Sequence, residues 1–192
     1  MKFDKTGRLL DAWENLPVAA SHGIKIDPDG NVWTVDVFGH SVKKWSREGK
    51  LLMVIGNAGA QPGTNETKDA FNRPTGIAFL PNGDFWVSDG YVNSRAVKYN
   101  KNGEFMMQIG GKKGTAEGEF DTVHDVAIDR RSQAQGWLWL HARLAAEGVP
   151  MRVRIAGGQW QALPESSTSA DGDLLAGLWA QARLQQLSTD RR

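Results

Sequence analysis

Short runs of alternating apolar and polar residues, separated by glycine-containing turns, fill the first 131 residues. In the first complete unit, GIKI and NVWTVD flank the turn Asp27–Gly30, and SVKKW and KLLMVIG flank the turn Ser46–Gly49. The apolar positions of the two middle runs are Val32, Trp33, Val35, Val42 and Trp45. This spacing predicts four short β-strands that pack between neighbouring sheets.

The four-strand unit is repeated along the chain. The segment 22–56 can be laid over 75–110, which pairs Gly30 with Gly83, Trp33 with Trp86, Asp36 with Asp89, Gly49 with Gly103 and Gly56 with Gly110. The opening KFDKTGRLLDAW matches the outer half of the unit, and VHDVAIDRR matches its inner start. A fixed period of about fifty residues is typical of solenoids and propellers.

Four-stranded units arranged around an axis form a β-propeller, which closes with about four to eight blades. Residues 1–131 hold two full units and parts of two more. We therefore expect an all-β fold, a partial propeller that is not closed. The repeated glycines and tryptophans are expected to serve turns and packing between blades.

The amino-acid composition limits the kinds of partner and metal site that we expect for this fold. The formal net charge of +1 gives no reason to expect nucleic acid or an anionic membrane as a partner. Because the chain has no cysteine, a metal site would have to use His, Asp or Glu. The start MKFDKTGRLLDAW lacks the apolar core and cleavage site of a signal peptide, and no apolar run approaches the ~20 residues of a membrane helix.

Two histidines break the repeat in the same register. His22 and His124 stand at the head of the innermost strand of units one and three, where unit two has Thr75. In a propeller these strand heads converge at one mouth of the central channel, so the two side chains are expected to lie close together. Neutral imidazole nitrogens are standard zinc ligands. The alternative is a pair of solvated or hydrogen-bonded strand-end histidines.

Tyr91 lies in the loop after the second strand of unit two, in SDGYVNSRAVKY, where unit one has a shorter loop. A phenol beside a divalent cation can ionise and act as a base. The alternative is an aromatic lid over the channel. His40, in VFGHSVKKW, is either another site residue or a structural one.

Three segments carry a resemblance to a known family. SHGIKIDPDGNVWTVDVFGHSVKKW, FNRPTGIAFLPNGDFWVSDGYVNSRAVKYNKNGEF and GEFDTVHDVAIDRR together resemble the peptidyl-α-hydroxyglycine α-amidating lyases, over residues 1–131. The resemblance implies a six-bladed, NHL-repeat propeller outside the cytoplasm. It also implies a zinc-dependent enzyme that cleaves the N–C bond of a peptidyl-α-hydroxyglycine to release a peptide amide and glyoxylate.

The resemblance assigns roles to four residues of this chain. His22 and His124 match two of the three histidines that bind zinc in the family, and Tyr91 matches its catalytic tyrosine. Ile24 matches a residue whose backbone carbonyl helps to hold a structural calcium ion. The implied cofactors are therefore Zn²⁺ and a structural Ca²⁺, and the implied substrate is a small peptide.

Other parts of the family's site have no counterpart in this sequence. The third histidine is expected beyond residue 192, and a catalytic arginine before Met1. After HDVAIDRR the family continues with a VADRxNxR phrase, whereas this chain continues SQAQGWLWLHARLAAEGV. The resemblance thus predicts a truncated chain that is inactive by itself.

Residues 132–192 form a separate tail by composition, because lysine is absent after Lys113 while alanine and glutamine become frequent. GWLWLHARL and MRVRIAGGQWQAL predict strands, and the apolar spacing of 173–187 predicts an amphipathic helix, so the tail is expected to be α/β or irregular. It derives from a frameshift or assembly join, from a second protein, or from a genuine segment that packs on the open blade edge. The abrupt change in composition favours the first two explanations.

Two functional hypotheses follow from the sequence. The first is a zinc-dependent, lyase-like propeller that acts on peptides. The second is a non-catalytic NHL-repeat fragment that binds proteins as a scaffold. In either case the unpaired backbone groups of an open blade edge would permit oligomerisation or aggregation.

Overall fold

The computed structural model describes residues 1–56, 61–114, 118–129, 137–143, 152–156 and 159–163. All elements within these ranges are β-strands, as the sequence predicts. The described ranges contain no helix, and therefore no helix that could cross a membrane.

The strands form one hairpin and three four-stranded antiparallel sheets. The hairpin consists of β1 (Lys2–Phe3) and β2 (Leu9–Asp11). The first sheet consists, in chain order, of β3 (Ser21–Ile26), β4 (Val32–Asp36), β5 (Ser41–Trp45) and β6 (Leu51–Ile55). The second consists of β7 (Pro74–Phe79), β8 (Phe85–Asp89), β9 (Arg95–Tyr99) and β10 (Phe105–Gly110).

The third sheet joins the repeat to the tail. It consists of β11 (Thr122–Asp129), β12 (Trp137–Arg143), β13 (Arg152–Ala156) and β14 (Gln159–Leu163). The two tail segments predicted as strands therefore contain strands, and β12 pairs with β11, β13 with β12 and β14 with β13. This pairing agrees with a segment that packs on the open blade edge. The helix predicted for 173–187 lies outside the described residues, and the domain boundary at residue 131 stays a prediction.

The turns within the blades share one construction. In each, the amide of a glycine donates to the carbonyl three residues earlier, and the glycine has φ between 82° and 89°. The five turns are Asp4–Gly7, Asp27–Gly30, Ser46–Gly49, Leu80–Gly83 and Asn100–Gly103. Only glycine adopts this φ without steric cost, which explains why it recurs at the same position of every turn.

The sheets pack face to face, and β8 lies between two cores. Phe85 and Val87 point into a core shared with the first sheet, whereas Trp86 points into a core shared with the third. Successive side chains of a strand face opposite sides, so one strand can serve both cores. Each fully buried side chain of this size stabilises the fold by about 1.5–3 kcal/mol. The inner strands β3, β7 and β11 are thereby placed side by side.

The described blades do not close into a ring, and the first sheet keeps one face open. Ile24 and Ile26 on β3 are 65% and 57% exposed. Together with Trp13 and Leu16 they line a cavity of about 360 Å³ between the sheet and the N-terminal hairpin. The expectation of an unclosed, partial propeller is confirmed for the described part of the chain.

Asp36, at the end of β4, ties the segment that leads into β3 to the rest of the blade. Its carboxylate accepts hydrogen bonds from the Ala19, Ala20 and Gly39 amides at 2.9 Å and from Lys43 Nζ at 2.6 Å. Burial raises the pKa of Asp36, but the Ala20 amide, the Lys43 ammonium and the other donors outweigh it, so the net pKa is lowered. The ionised form is thus the one that the fold stabilises.

This lowered pKa predicts a specific acid sensitivity. A carboxyl whose pKa is lower in the folded state adds stability above its unfolded pKa of about 3.9. That stability disappears as the pH falls through the folded pKa. We expect Asp36→Asn to lower the free energy of unfolding by about 2 kcal/mol at pH 7. The difference from the wild type should shrink below about pH 4, as measured by urea unfolding at several pH values. A difference that does not change with pH would contradict this assignment.

Candidate functional site

His22 lies at the start of β3, and its ring is oriented by a backbone group of the next blade. Its Nδ1 lies 2.7 Å from the carbonyl oxygen of Thr75. Because a carbonyl can only accept, Nδ1 carries the hydrogen and donates. In the neutral ring the lone pair is therefore on Nε2, which points away from Thr75.

Tyr91 connects the two histidines that the sequence places in the same register. Its hydroxyl oxygen lies 2.9 Å from His22 Nε2 and 3.0 Å from His124 Nε2. With His22 as the acceptor, the phenol donates to His22 and accepts from His124. The ring centroids of the three residues are 5.2–5.4 Å apart. We call His22, Tyr91 and His124 the His–Tyr–His cluster.

Three different blades build this cluster. His22 and His124 come from the inner strands β3 and β11, and Tyr91 comes from the loop that connects β8 to β9. The prediction that the strand heads converge is confirmed, since residues of the first and third sheets meet here. Tyr91 is 45% exposed, so a ligand can reach the phenol from solvent.

The Tyr91 loop is held by a buried charge network. Asp89 and Arg95 form a fully buried ion pair with Asp89 Oδ2 2.9 Å from Arg95 Nε, and Asn93 donates to the same carboxylate oxygen at 2.8 Å. The Arg95 guanidinium also donates to three backbone carbonyls, those of Asn65, Thr67 and Ala70. Burial raises the pKa of Asp89, and the guanidinium opposes that shift. The segment DGYVNSR is therefore a loop that is held in place by contacts among its own Asp89, Asn93 and Arg95 side chains.

Gly90 allows this loop to approach the third blade closely. A Cβ at this position would lie 2.0 Å from the Val123 carbonyl oxygen and 2.4 Å from the Val123 nitrogen. Val123 directly precedes His124, so the close approach brings the Tyr91 loop against the strand that carries the second histidine. Any other residue at position 90 would push the two apart.

The cluster has part of what a metal site requires. Two imidazole Nε2 atoms face one point, and the Nδ1–H···O=C bond of His22 is the outer interaction that commonly orients a metal-binding histidine. Among the residues that the structure describes, however, no group of three or more His, Asp or Glu side chains could hold a metal ion. The roles predicted for His22, Tyr91 and His124 remain predictions.

Two further residues singled out in the sequence lie apart from the cluster. Ile24 is two residues beyond His22 on β3, paired with Thr34, and its side chain lines the open-face cavity. Its predicted role at a calcium ion stays a prediction. His40 adopts a left-handed conformation with φ of 50°, and its Nδ1 accepts a hydrogen bond from the Arg73 amide at 3.1 Å. This contact agrees with the structural interpretation of His40.

Sequence reasoning missed the residues that orient the cluster. The sequence marked Thr75 only as the position where the second unit has no histidine, and Arg95 only as one residue of the segment SDGYVNSRAVKY. Thr75 acts through its backbone carbonyl, for which no side-chain pattern exists. The buried Asp89–Arg95 pair has a recognisable signal, because opposite charges at a strand end and at the next strand start face each other across the turn.

Comparisons with known proteins show which repeat and which relatives the chain is similar to. A family model described as "NHL repeat" matches residues 71–99, which contain β7, β8 and β9, three of the four strands of the second sheet. Peptidyl-alpha-hydroxyglycine alpha-amidating lyase 1 of Drosophila melanogaster is 39% identical over 105 residues, which cover 53% of this chain and 19% of that protein. Peptidyl-glycine alpha-amidating monooxygenase of Mus musculus is 40% identical over 114 residues, 56% of this chain and 11% of that protein.

Other similarities extend further along the chain. NHL repeat-containing protein 3 of Homo sapiens is 32% identical over 151 residues, 73% of this chain and 41% of that protein. Among solved structures, virginiamycin B lyase from Staphylococcus aureus superposes with a TM-score of 0.56 at 15% identity, over 88% of this chain and 49% of that one. At this identity the superposition shows the fold alone.

The chain spans less than half of the length of each of these relatives. The resemblance to the α-amidating lyases, which was drawn from the motifs of the chain, is confirmed for about half of the chain. The chain is a propeller segment that contains an NHL repeat and, over about half of its length, is similar to the peptidyl-α-hydroxyglycine α-amidating lyases.

Proposed function

We propose that the His–Tyr–His cluster is part of a zinc-dependent site that cleaves peptidyl-α-hydroxyglycine to a peptide amide and glyoxylate. The observation that carries this proposal is the convergence of His22 Nε2 and His124 Nε2 on the Tyr91 hydroxyl, at 2.9 and 3.0 Å. The names of the relatives supply the substrate class, a peptide with a C-terminal α-hydroxyglycine.

His22 would hold the metal through Nε2, with the Thr75 carbonyl keeping its ring in the required orientation. His124 would hold it through Nε2 in the tautomer that carries its hydrogen on Nδ1, so metal binding would replace the His124–Tyr91 hydrogen bond. A zinc ion bound there would act as a Lewis acid that lowers the pKa of a substrate hydroxyl. The His22 lone pair that receives the phenol hydrogen in this structure is the one that would bind the metal. Tyr91 would then direct its hydroxyl toward the substrate.

The cleavage needs one proton removed and one delivered. As the substrate hydroxyl loses its proton, the O–H electron pair forms the carbonyl of glyoxylate. The C–N bond breaks, and its electron pair goes to the nitrogen, which takes up a proton and becomes the primary amide. Tyr91 suits the proton transfer because its hydroxyl lies at the histidine nitrogens and its ring is open to solvent.

We propose that this chain does not catalyse the reaction by itself. The described residues offer two imidazoles at the cluster, and the third histidine and the catalytic arginine that the family resemblance implies have no counterpart in the sequence. Incubation with an α-hydroxyglycine peptide should release no glyoxylate above the rate without protein. Release that depends on Tyr91 would show that the cluster suffices.

Metal binding by the cluster can be tested directly. We expect Co²⁺ to bind the purified chain and to be displaced by Zn²⁺, and we expect His22→Ala combined with His124→Ala to weaken binding at least tenfold. The measurement is Co²⁺ absorption together with equilibrium dialysis against zinc. His40→Asn is the matched control, because His40 lies at the same end of the blades with its ring bonded to the Arg73 amide. Equal metal affinity in the wild type and the double variant would contradict the proposal.

A second function is favoured by the open face of the first sheet. Ile24 and Ile26 are exposed beside a cavity that Trp13 and Leu16 also line, which suits a protein-binding scaffold of NHL repeats. Under this alternative we expect the chain to self-associate, as measured by size-exclusion chromatography with light scattering. His22→Ala and His124→Ala should leave this self-association unchanged, whereas Ile24→Ser and Ile26→Ser should abolish it. The two functions thus predict opposite responses to two pairs of substitutions.

A further inference from the structure

We infer that Thr75 positions both histidines of the His–Tyr–His cluster, one through its carbonyl and the other through its hydroxyl. Thr75 is the residue that takes the place of a histidine in the second blade, at the head of β7 between β3 and β11. The inference concerns the same cluster, and it depends on the proposed function only where metal affinity is the readout.

The contact to the first blade is made by the backbone. The Thr75 carbonyl oxygen lies 2.7 Å from His22 Nδ1, a short hydrogen bond that fixes the ring rotation and places the lone pair on Nε2. Without this acceptor the neutral ring could place its hydrogen on either nitrogen. Thr75 thus selects the form of His22 that accepts from Tyr91.

The contact to the third blade is made by the side chain. Thr75 Oγ1 lies 2.9 Å from the Val123 carbonyl oxygen and 2.9 Å from Ser88 Oγ. The hydroxyl has one hydrogen and two carbonyl acceptors, Val123 at 2.9 Å and Ser88 at 3.2 Å, and the shorter contact is the one to Val123, which directly precedes His124. Thr75 is 3% exposed, and Ser88 and Val123 are fully buried, so water does not replace this bond.

A histidine at this position would lack the hydroxyl that joins the second and third blades. The Thr75 side chain points into the buried contact between β7, β8 and β11, where its hydroxyl joins two blades. Threonine in place of histidine in the second blade therefore supplies the side-chain bond that ties β7 to the strand carrying His124.

The test compares three variants. Thr75→Val keeps the shape but removes the hydroxyl, Thr75→Ser keeps the hydroxyl, and Ser88→Ala removes the neighbouring hydroxyl while leaving the bond to Val123. We expect Thr75→Val to weaken Co²⁺ binding at least tenfold, and the other two to stay within about threefold of the wild type. If the valine variant does not fold, as judged by near-UV circular dichroism, Thr75→Ala takes its place.

A second readout needs no metal. Imidazole ¹⁵N spectra should show the Nδ1–H form of His22 and the Nε2–H form of His124 in the wild type and in Thr75→Ser. In Thr75→Val, His22 should keep its form, because the carbonyl remains. Loss of the bond to Val123 should displace His124 from Tyr91, which lies 3.0 Å from its Nε2, so His124 should change to a mixture of forms. A merely structural role of the hydroxyl would lower stability without this selective change.

The two readouts separate the possible failures. If the wild type binds no Co²⁺ but the histidine forms change as expected, the zinc proposal is wrong and the positioning role stands. If Thr75→Val leaves both metal affinity and the form of His124 unchanged, the positioning role is overturned whatever the metal result.

Discussion

Replacing Arg95 with methionine is expected to lower the free energy of unfolding by about 3–5 kcal/mol. The substitution leaves the Asp89 carboxylate fully buried without its counter-charge, and it removes the donors to the carbonyls of Asn65, Thr67 and Ala70. Buried carbonyls and charges without partners carry their full desolvation cost. Urea unfolding followed by tryptophan fluorescence measures the loss, because Trp33, Trp45 and Trp86 report on the cores of the first two sheets.

The control lies on the same strand. Lys98 pairs with Asp84 at 3.5 Å, with both side chains partly exposed, so Lys98→Met should cost no more than about 1 kcal/mol. The double variant Asp89→Asn with Arg95→Met should lose less than the sum of the two single changes, since each single change leaves one charge unpaired. Additive losses would show that the buried pair does not act as a unit.

The effect should reach the functional cluster. Asp89 and Arg95 stand at the two ends of the loop that carries Tyr91, and Asn93 within the loop donates to the same carboxylate. Loss of Arg95 therefore frees the loop as well as weakening the blade. A scaffold of buried polar contacts holds an exposed phenol in a fixed place, which is the arrangement that a functional site requires.

The blade pattern was predictable because its physical causes are local. Alternation sets the strand faces, and the glycine at the fourth turn position sets each hairpin, so the two complete sheets follow from the residues of one repeat. The third sheet was predictable only in part. Runs such as GWLWLHARL indicate a strand, but no local pattern states that Trp137–Arg143 pairs with Thr122–Asp129. Pairing partners depend on packing over the whole sheet.

The cluster was predictable to the extent that symmetry determines it. Equivalent positions of a propeller repeat converge at the channel mouth, so His22 and His124 could be placed together from their register alone. The contribution of Thr75 could not, because a backbone carbonyl is present at every residue and only the fold decides which one faces an imidazole. The burial of Arg95 could not be predicted either, since arginine is mostly found at protein surfaces.

Replacing Gly90 with alanine should disrupt the cluster more selectively than any change to the core. The added Cβ would lie within 2.0–2.5 Å of three backbone atoms of Val123, and backbone atoms within a strand cannot move aside as a side-chain end can. We expect a loss in the free energy of unfolding of about 3 kcal/mol. Tyr91 follows directly on one side of this contact and His124 on the other, so their hydrogen bond at 3.0 Å should be lost.

The matched control is a glycine next to the other histidine. A Cβ on Gly23 would lie 3.7 Å from the Thr75 carbonyl oxygen and 3.8 Å from a Val35 methyl, which are ordinary contacts. Gly23→Ala should therefore change stability by no more than about 0.5 kcal/mol and leave the ¹⁵N signals of both imidazoles in place. Gly90→Ala should shift the His124 signals and weaken Co²⁺ binding. Should both variants behave alike, the close approach at Gly90 is not what brings Tyr91 to the histidines, and the Asp89–Arg95 network must position the phenol alone.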